Sequence, residues 1–172
     1  ELEVMMAAET NPSRLERVLV AYSFMVRLRA VRFTPEPLRR IAQEGPLKLK
    51  VRALQVSAEV ADDWAVSAIA GLISSAGDTD ERRALKQCAI RCAGRMHSPK
   101  TTKALLTALA DSDPTVVLQA IESLGNLGAG EATTRLRSMA EGPNTEQRLE
   151  CRFALSKISV INGADRDQQL FD

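Results

Sequence analysis

The chain reads as an all-α protein made of stacked antiparallel helix pairs. Three observations predict this. Apolar residues recur at a spacing near 3.6 in almost every segment, and no window of four to eight residues alternates convincingly. Hydrophobic residues are 45% of the 172, yet aromatics are only 3%. The core is therefore built from Ala, Leu, Val and Ile, which suits close helix packing better than a β-sandwich. The joints between periodic segments are only a few residues long, so consecutive helices must lie antiparallel as neighbours.

The elements follow in order. Residues 1–12 are read as a frayed end. Ser13, with Glu16 three residues on, forms a capping-box pattern, and 13–33 is read as a long apolar helix capping the N-terminal end of the stack. Thr34-Pro35-Glu36-Pro37 stops it and opens a short helix that ends at Gly45-Pro46, because proline fits a first turn and breaks an interior. "LKLKVRALQVSAEVA" makes the next. Asp62 or Asp63 caps "WAVSAIAGLISSA", which ends at Gly77. Asp78 or Asp80 caps "ERRALKQCAIRCAGRM"; Ser98-Pro99 opens "KTTKALLTALA", and Asp113-Pro114 opens "TVVLQAIESLGNL". A helix over 129–139 ends at Gly142-Pro143-Asn144, and the last, "EQRLECRFALSKISVI", finishes at Asn162-Gly163. Residues 163–172 are read as a second frayed end. The count is about nine helices, or four to five pairs.

These helices repeat. At one constant shift, Ala89 falls on Ala120 and then Cys151, Ala93 on Leu124 and Leu155, Gly94 on Gly125 and Ser156, and Met96 on Leu127 and Ile158. The first column, Leu85, Val116 and Gln147, breaks at its third member. An earlier unit, 35–61, has a slightly longer offset and is blurred. A two-helix unit recurring at roughly 31–35 residues is the signature of an α-solenoid.

At this point the residues resemble a known family. "LLTALADSDPTVVLQAIESLGNLG" (105–128) looks like a HEAT repeat of the short variety first noted in phycobilisome lyases. Leu105, Leu106, Leu109, Asp111, Asp113, Pro114, Val116, Ala120, Leu124, Gly125, Leu127 and Gly128 sit on that pattern. The unit 129–158 keeps Arg148, Ala154, Leu155 and Ile158, and 64–96 keeps its helices but lacks the Asp-Pro turn. Val117 stands where the pattern has Arg, so the usual turn salt link is expected to be missing there. The resemblance implies a right-handed α-α superhelix forming a single domain over 1–172, with the second helix of each unit lining a concave face. The outward residues on those helices are Gln87, Arg91, Arg95, Gln119, Glu122, Ser123, Asn126 and Glu150. They are the expected interaction surface.

Other constellations are weaker. Gly125, Gly128 and Gly130 follow a helix in the order G-x-x-G-x-G, with no Gly-Lys-Ser/Thr, so they read as a joint rather than a phosphate loop. Cys88 and Cys92 lie one turn apart with His97 beyond, but two thiols and one histidine fall short of a closed zinc site. Asp62-Asp63 beside Trp64 resembles the Asp and aromatic residues with which some HEAT-like proteins excise alkylated DNA bases in a concave cleft; helix capping explains the pair more simply. The only histidine, His97, sits at a helix end. No catalytic residue, cofactor or metal is expected.

Net charge is +1 overall but uneven. Residues 1–52 carry ten Lys/Arg and six Asp/Glu, 53–112 carry seven of each, and 113–172 carry six and nine. Opposite ends could dock different partners, or like molecules head to tail. The basic cluster includes Arg27, Arg29, Arg32, Arg39, Arg40, Lys48, Lys50 and Arg52, and arginine outnumbers lysine by 17 to 6. Within it, Arg39, Arg40, Lys48, Lys50 and Arg52 form the candidate anion or nucleic-acid patch. Three cysteines without framework spacing, no leader-like opening and no run of 18 apolar residues read as a cytoplasmic protein away from the membrane. The chain starts at Glu1, which makes a fragment of a larger protein one reading. The apolar 14–33 helix could then meet a missing domain or a second copy.

The leading expectation is a non-catalytic protein–protein interaction scaffold, adaptor or regulatory domain. The alternative is a nucleic-acid-binding domain using the N-terminal patch. A lyase-like helper in cofactor attachment, or another enzyme, comes third.

Overall fold

The computed structural model describes the backbone of residues 2–28, 35–75 and 79–169. Ten α-helices are found among them: α1 (Leu2–Ala8), α2 (Pro12–Arg27), α3 (Pro35–Glu44), α4 (Leu47–Val60), α5 (Asp63–Ser74), α6 (Asp80–Ala93), α7 (Pro99–Ala108), α8 (Pro114–Asn126), α9 (Thr133–Ala140) and α10 (Thr145–Gln169). A single 3₁₀ turn, Gly130–Ala132, leads into α9.

Successive helices pair as α1/α2, α3/α4, α5/α6, α7/α8 and α9/α10, and the pairs stack. The second helices form one continuous layer, α2–α4–α6–α8–α10, each packed on the next. In the other layer, α1 packs on α3 and α5 on α7. The result is an all-α superhelix.

Side-chain oxygens satisfy the free N–H groups at several helix starts. Asp62 accepts from the Ala65 N–H at 2.8 Å and Asp113 from the Thr115 N–H at 2.8 Å. Two other starts differ from the sequence pattern. Asn11 caps α2, accepting from the N–H groups of Ser13 and Arg14 at 3.0 and 3.3 Å. The Ser13–Glu16 box does not form, and Glu16 pairs instead with Lys48 at 2.7 Å. Thr79 caps α6 through the Arg82 N–H, with Asp80 as the first helical residue. Asp78, Gly77 and the end of the expected 13–33 helix lie outside the described residues.

The ends also differ. A helix, α1, stands where a frayed 1–12 was expected, because Met6 is fully buried among Leu15, Leu19 and Tyr22. At the other end α10 continues through Asn162-Gly163 to Gln169. Nothing lies within 4 Å of a Cβ built on Gly163, and glycine alone does not end a helix without a left-handed turn.

The core divides into two clusters. Met6, Leu15, Leu19, Tyr22, Leu38, Ile41, Leu49, Ala53 and Val56 form the N-terminal one. The larger one runs from Leu54 and Ala58 to Ala154 and Ile158. Thus α4 serves both, with Leu49, Ala53 and Val56 on one side and Leu54 and Ala58 on the other. Directly after it, Ala61 adopts a left-handed conformation (φ 52°), which costs a non-glycine residue about 1 kcal/mol.

Candidate interaction surface

The columns of the repeat become contacts in the layer of second helices. A Cβ on Gly94, the C-cap of α6, would lie 2.8 Å from Cβ of Ser123 on α8, and one on Gly125 of α8 would lie 2.8 Å from Cα of Ala154 on α10. The same small column thus lets the next helix approach in both units. Gly128 has φ 65° and lies against Ile161, so the glycine run is the joint between two units.

Polar links cross the repeats beside these contacts. Lys86 pairs with Asp111. Lys86 stands one repeat before Val117 in the same column, so the salt link absent at Val117 exists one unit earlier and reaches forward into the next turn. Burial pulls the Asp111 carboxyl up, but the hydrogen bonds from Lys86 and from the Asp113 N–H outweigh it and hold it below the ordinary value. Asp113 is lowered chiefly by the Thr115 hydroxyl and N–H. Arg83 lies 3.7 Å from Asp113, and Lys50 pairs with Glu81 at 2.9 Å.

The expected surface residues separate on this frame. Arg91, Arg95, Glu122 and Asn126 are exposed, and Gln87, Gln119 and Glu150 are half-buried. Gln87 donates to the Thr115 hydroxyl at 3.1 Å, and Asn126 accepts from Lys157 at 2.8 Å. Ser123 is a correction. It is buried, and its hydroxyl donates to the Ile90 carbonyl at 3.1 Å, so it spaces α6 from α8 and does not face solvent.

Between α8 and α10 lies a groove of about 430 Å³, lined by Leu118, Gln119, Glu122, Glu146, Glu150, Phe153 and Lys157. The Oε1 atom of Gln119 is buried there without a hydrogen-bond partner. The sequence reading missed Leu118, Glu146, Phe153 and Lys157. Phe153 falls one repeat after Glu122, and that column was the available signal.

The basic patch disperses. Lys48 and Lys50 are in the ion pairs above, and Arg40 donates to the Met6 carbonyl at 2.9 Å. Arg39 stacks over Trp64, 5.4 Å from the ring centre, and Arg52 meets Gln55 at 3.4 Å. The Arg27 side chain, Arg29 and Arg32 lie outside the described residues. Cys88, Cys92 and Cys151 are free and buried; the sulfurs of the first two are 4.0 Å apart. The contact with Cys88, together with burial, drives the Cys92 thiol upward. His97 is exposed on the turn after α6.

Five helix pairs, a constant register along α6, α8 and α10 and forward links across the turns define a solenoid of repeated helical hairpins. The family model for HEAT repeats matches residues 69–156, half of the chain, and the chain belongs to the HEAT-repeat family. Among solved structures it is similar to the complex of CpcE and CpcF of phycocyanin lyase from Nostoc sp. PCC7120, at 18% identity and a TM-score of 0.51. That match covers 75% of this chain and 66% of the other, just under two thirds of its length. An engineered protein is similar at 16% identity and a TM-score of 0.51, covering 92% of this chain and 79% of that one. Both are likenesses of fold. No curated protein matches the sequence.

Proposed function

We propose that the chain is a non-catalytic interaction module that docks a protein partner across the outer surface of α6, α8 and α10. The observation that carries this reading is the α8–α10 groove, where Glu122 of one unit and Glu150 of the next stand on one lining with Leu118 and Phe153. A rigid core backs it, and polar side chains from neighbouring units stand close enough to be read together. The reactive side chains support the same reading: the three thiols are buried and the only histidine is on a turn. Free buried thiols also fit the cytoplasm, and no helix among the described residues is long and apolar enough to cross a membrane. Nucleic-acid binding through Arg39, Arg40, Lys48, Lys50 and Arg52 is the lesser reading, because each already has an intramolecular contact.

The test is affinity capture from native extract with the wild type and with Arg91→Glu/Glu122→Arg. Both sites are exposed, so the fold is expected to survive. A protein retained by the wild type and lost from the double variant supports the reading. Identical capture profiles, or salt-sensitive retention of nucleic acid alone, would overturn it.

A further inference from the structure

The exposed charges on the solvent face of α6, α8 and α10 are sorted by sign. Arg91, near the end of α6, and Arg95, just past it, are exposed. Glu122 on α8 and Glu146 on α10 are exposed, and Glu150 is half-buried. Among the described residues none of these five is in an ion pair, whereas Lys48, Lys50, Arg83 and Lys86 each meet a carboxylate. The groove between α8 and α10 adds an apolar lining, Leu118 and Phe153, and Phe153 is 64% exposed. Phe153 shares a column with Arg91 and Glu122, which are exposed inside the stack, so this is the outer face of the layer and not its end. Lys157 donates to Asn126 at the C-terminal edge of the groove. These two also share a column, so equal positions stand level from one second helix to the next.

Resting on the interaction role proposed above, we infer that the segment bound here is an extended, bipolar piece of a partner protein, acidic at one end, basic at the other and apolar between. Its acidic end meets Arg91 and Arg95. Its basic end meets Glu122, Glu146 and Glu150, and an apolar side chain enters the groove against Leu118 and Phe153. Neighbouring helices pack about 10 Å apart, so α6 and α10 are about 20 Å apart across the layer. The α10 carboxylates stand about seven residues nearer the helix start than the level of the arginines, which is about 10 Å along the axis at the α-helical rise. The span between the poles is therefore about 22 Å, which an extended chain covers in about seven residues. Repulsion sharpens the choice. A purely basic segment laid across the layer would face Arg91 and Arg95, and a purely acidic one, or a nucleic-acid backbone, would face three carboxylates. The two poles also decide which end of the segment lies on which helix, since the opposite placement sets like charges together.

The experiment pans a phage-displayed library of random peptides, about ten residues long, on the whole chain at low salt. Enriched peptides are expected to carry Asp or Glu toward one end and Lys or Arg toward the other, with a large apolar residue between. Panning on Arg91→Glu/Arg95→Glu is expected to return peptides whose acidic end has become basic. Panning on Glu146→Lys/Glu150→Lys is expected to return peptides whose basic end has become acidic. Circular dichroism checks that each variant folds. In fluorescence anisotropy the best wild-type peptide is expected to bind each variant about tenfold more weakly. The same residues with their charges interleaved are expected to bind the wild type about tenfold more weakly. No enrichment, enriched peptides of one sign or with interleaved charges, or one charge pattern shared by wild type and variants would each overturn the proposal. Where a partner is still captured by the wild type and lost from Arg91→Glu/Glu122→Arg, those outcomes remove the bipolar segment alone and leave the interaction role standing.

Discussion

The two N-terminal pairs and the three C-terminal pairs share an architecture but are held together differently. Along α6, α8 and α10 the columns repeat at a constant step and supply the same contacts: Gly94 on Ser123, then Gly125 on Ala154. Polar links such as Lys86–Asp111 and Lys157–Asn126 run across them. From α1 to α4 the period blurs. The packing there relies on large side chains, Met6, Leu19, Tyr22 and Leu38, all fully buried. Its long-range polar contacts, Lys48–Glu16 and Arg40 to the Met6 carbonyl, follow no column. Regular columns let each unit prepare the surface for the next, whereas the irregular units pack by bulk.

The sharpest way to break this comparison is a cavity in each half. Ile121→Ala removes a fully buried side chain from the larger cluster and is expected to cost about 4 kcal/mol, exposing amides from α5 to α10 to hydrogen exchange. Leu19→Ala is expected to release α1 to α3 first, leaving α6 and α8 protected. Equal loss of protection everywhere would show one cooperative unit in place of two.

Next in size is Gly125→Val. Its Cβ would meet the backbone of α10, so a loss of about 3 kcal/mol is expected in chemical denaturation. Gly71→Ala, where nothing lies within 4 Å, is the control and is expected to stabilise by about 0.8 kcal/mol through helix propensity.

Lys86→Met is expected to cost about 2 kcal/mol at neutral pH, since it strips a half-buried carboxylate of its charged donor. The sign with pH follows from the lowered Asp111 value. The folded state holds this proton less tightly than the unfolded state, so the link stabilises above the ordinary carboxylate range and is lost as pH falls through the lowered value. Denaturation midpoints measured from pH 7 down through the carboxylate range are expected to fall less steeply in the variant. Ala61→Gly is expected to gain about 1 kcal/mol from relief of the left-handed backbone, read as a rise in melting temperature.

The sequence made the regular half legible and the irregular half less so, for physical reasons. Helix periodicity, the caps at Asp62 and Asp113 and the close approach at Gly125 are local or repeat with a period, so one chain displays them. The helix α1 was hidden because Met6 is held by residues of α2, a tertiary contact that no short window shows. Ser123 looked like a surface residue because a hydroxyl on a solvent-side position and one spacing two helices read alike. The Lys86 link was hidden because its donor lies one unit before its acceptor. On the surface, Gln87, Arg91, Glu122 and Asn126 were legible as polar positions. The groove needed Phe153 brought beside Gln119 by the stacking of α8 on α10.

The position of α4 has a mechanical consequence. A stack that is stiff on both sides of one shared wall bends at that wall, as a beam bends at its thinnest section. Ala61 lies next to that section, storing a little backbone strain where the two core clusters meet. A load that pulls the two ends apart would therefore reach the joint between α4 and α5 before it reached the glycine-lined contacts.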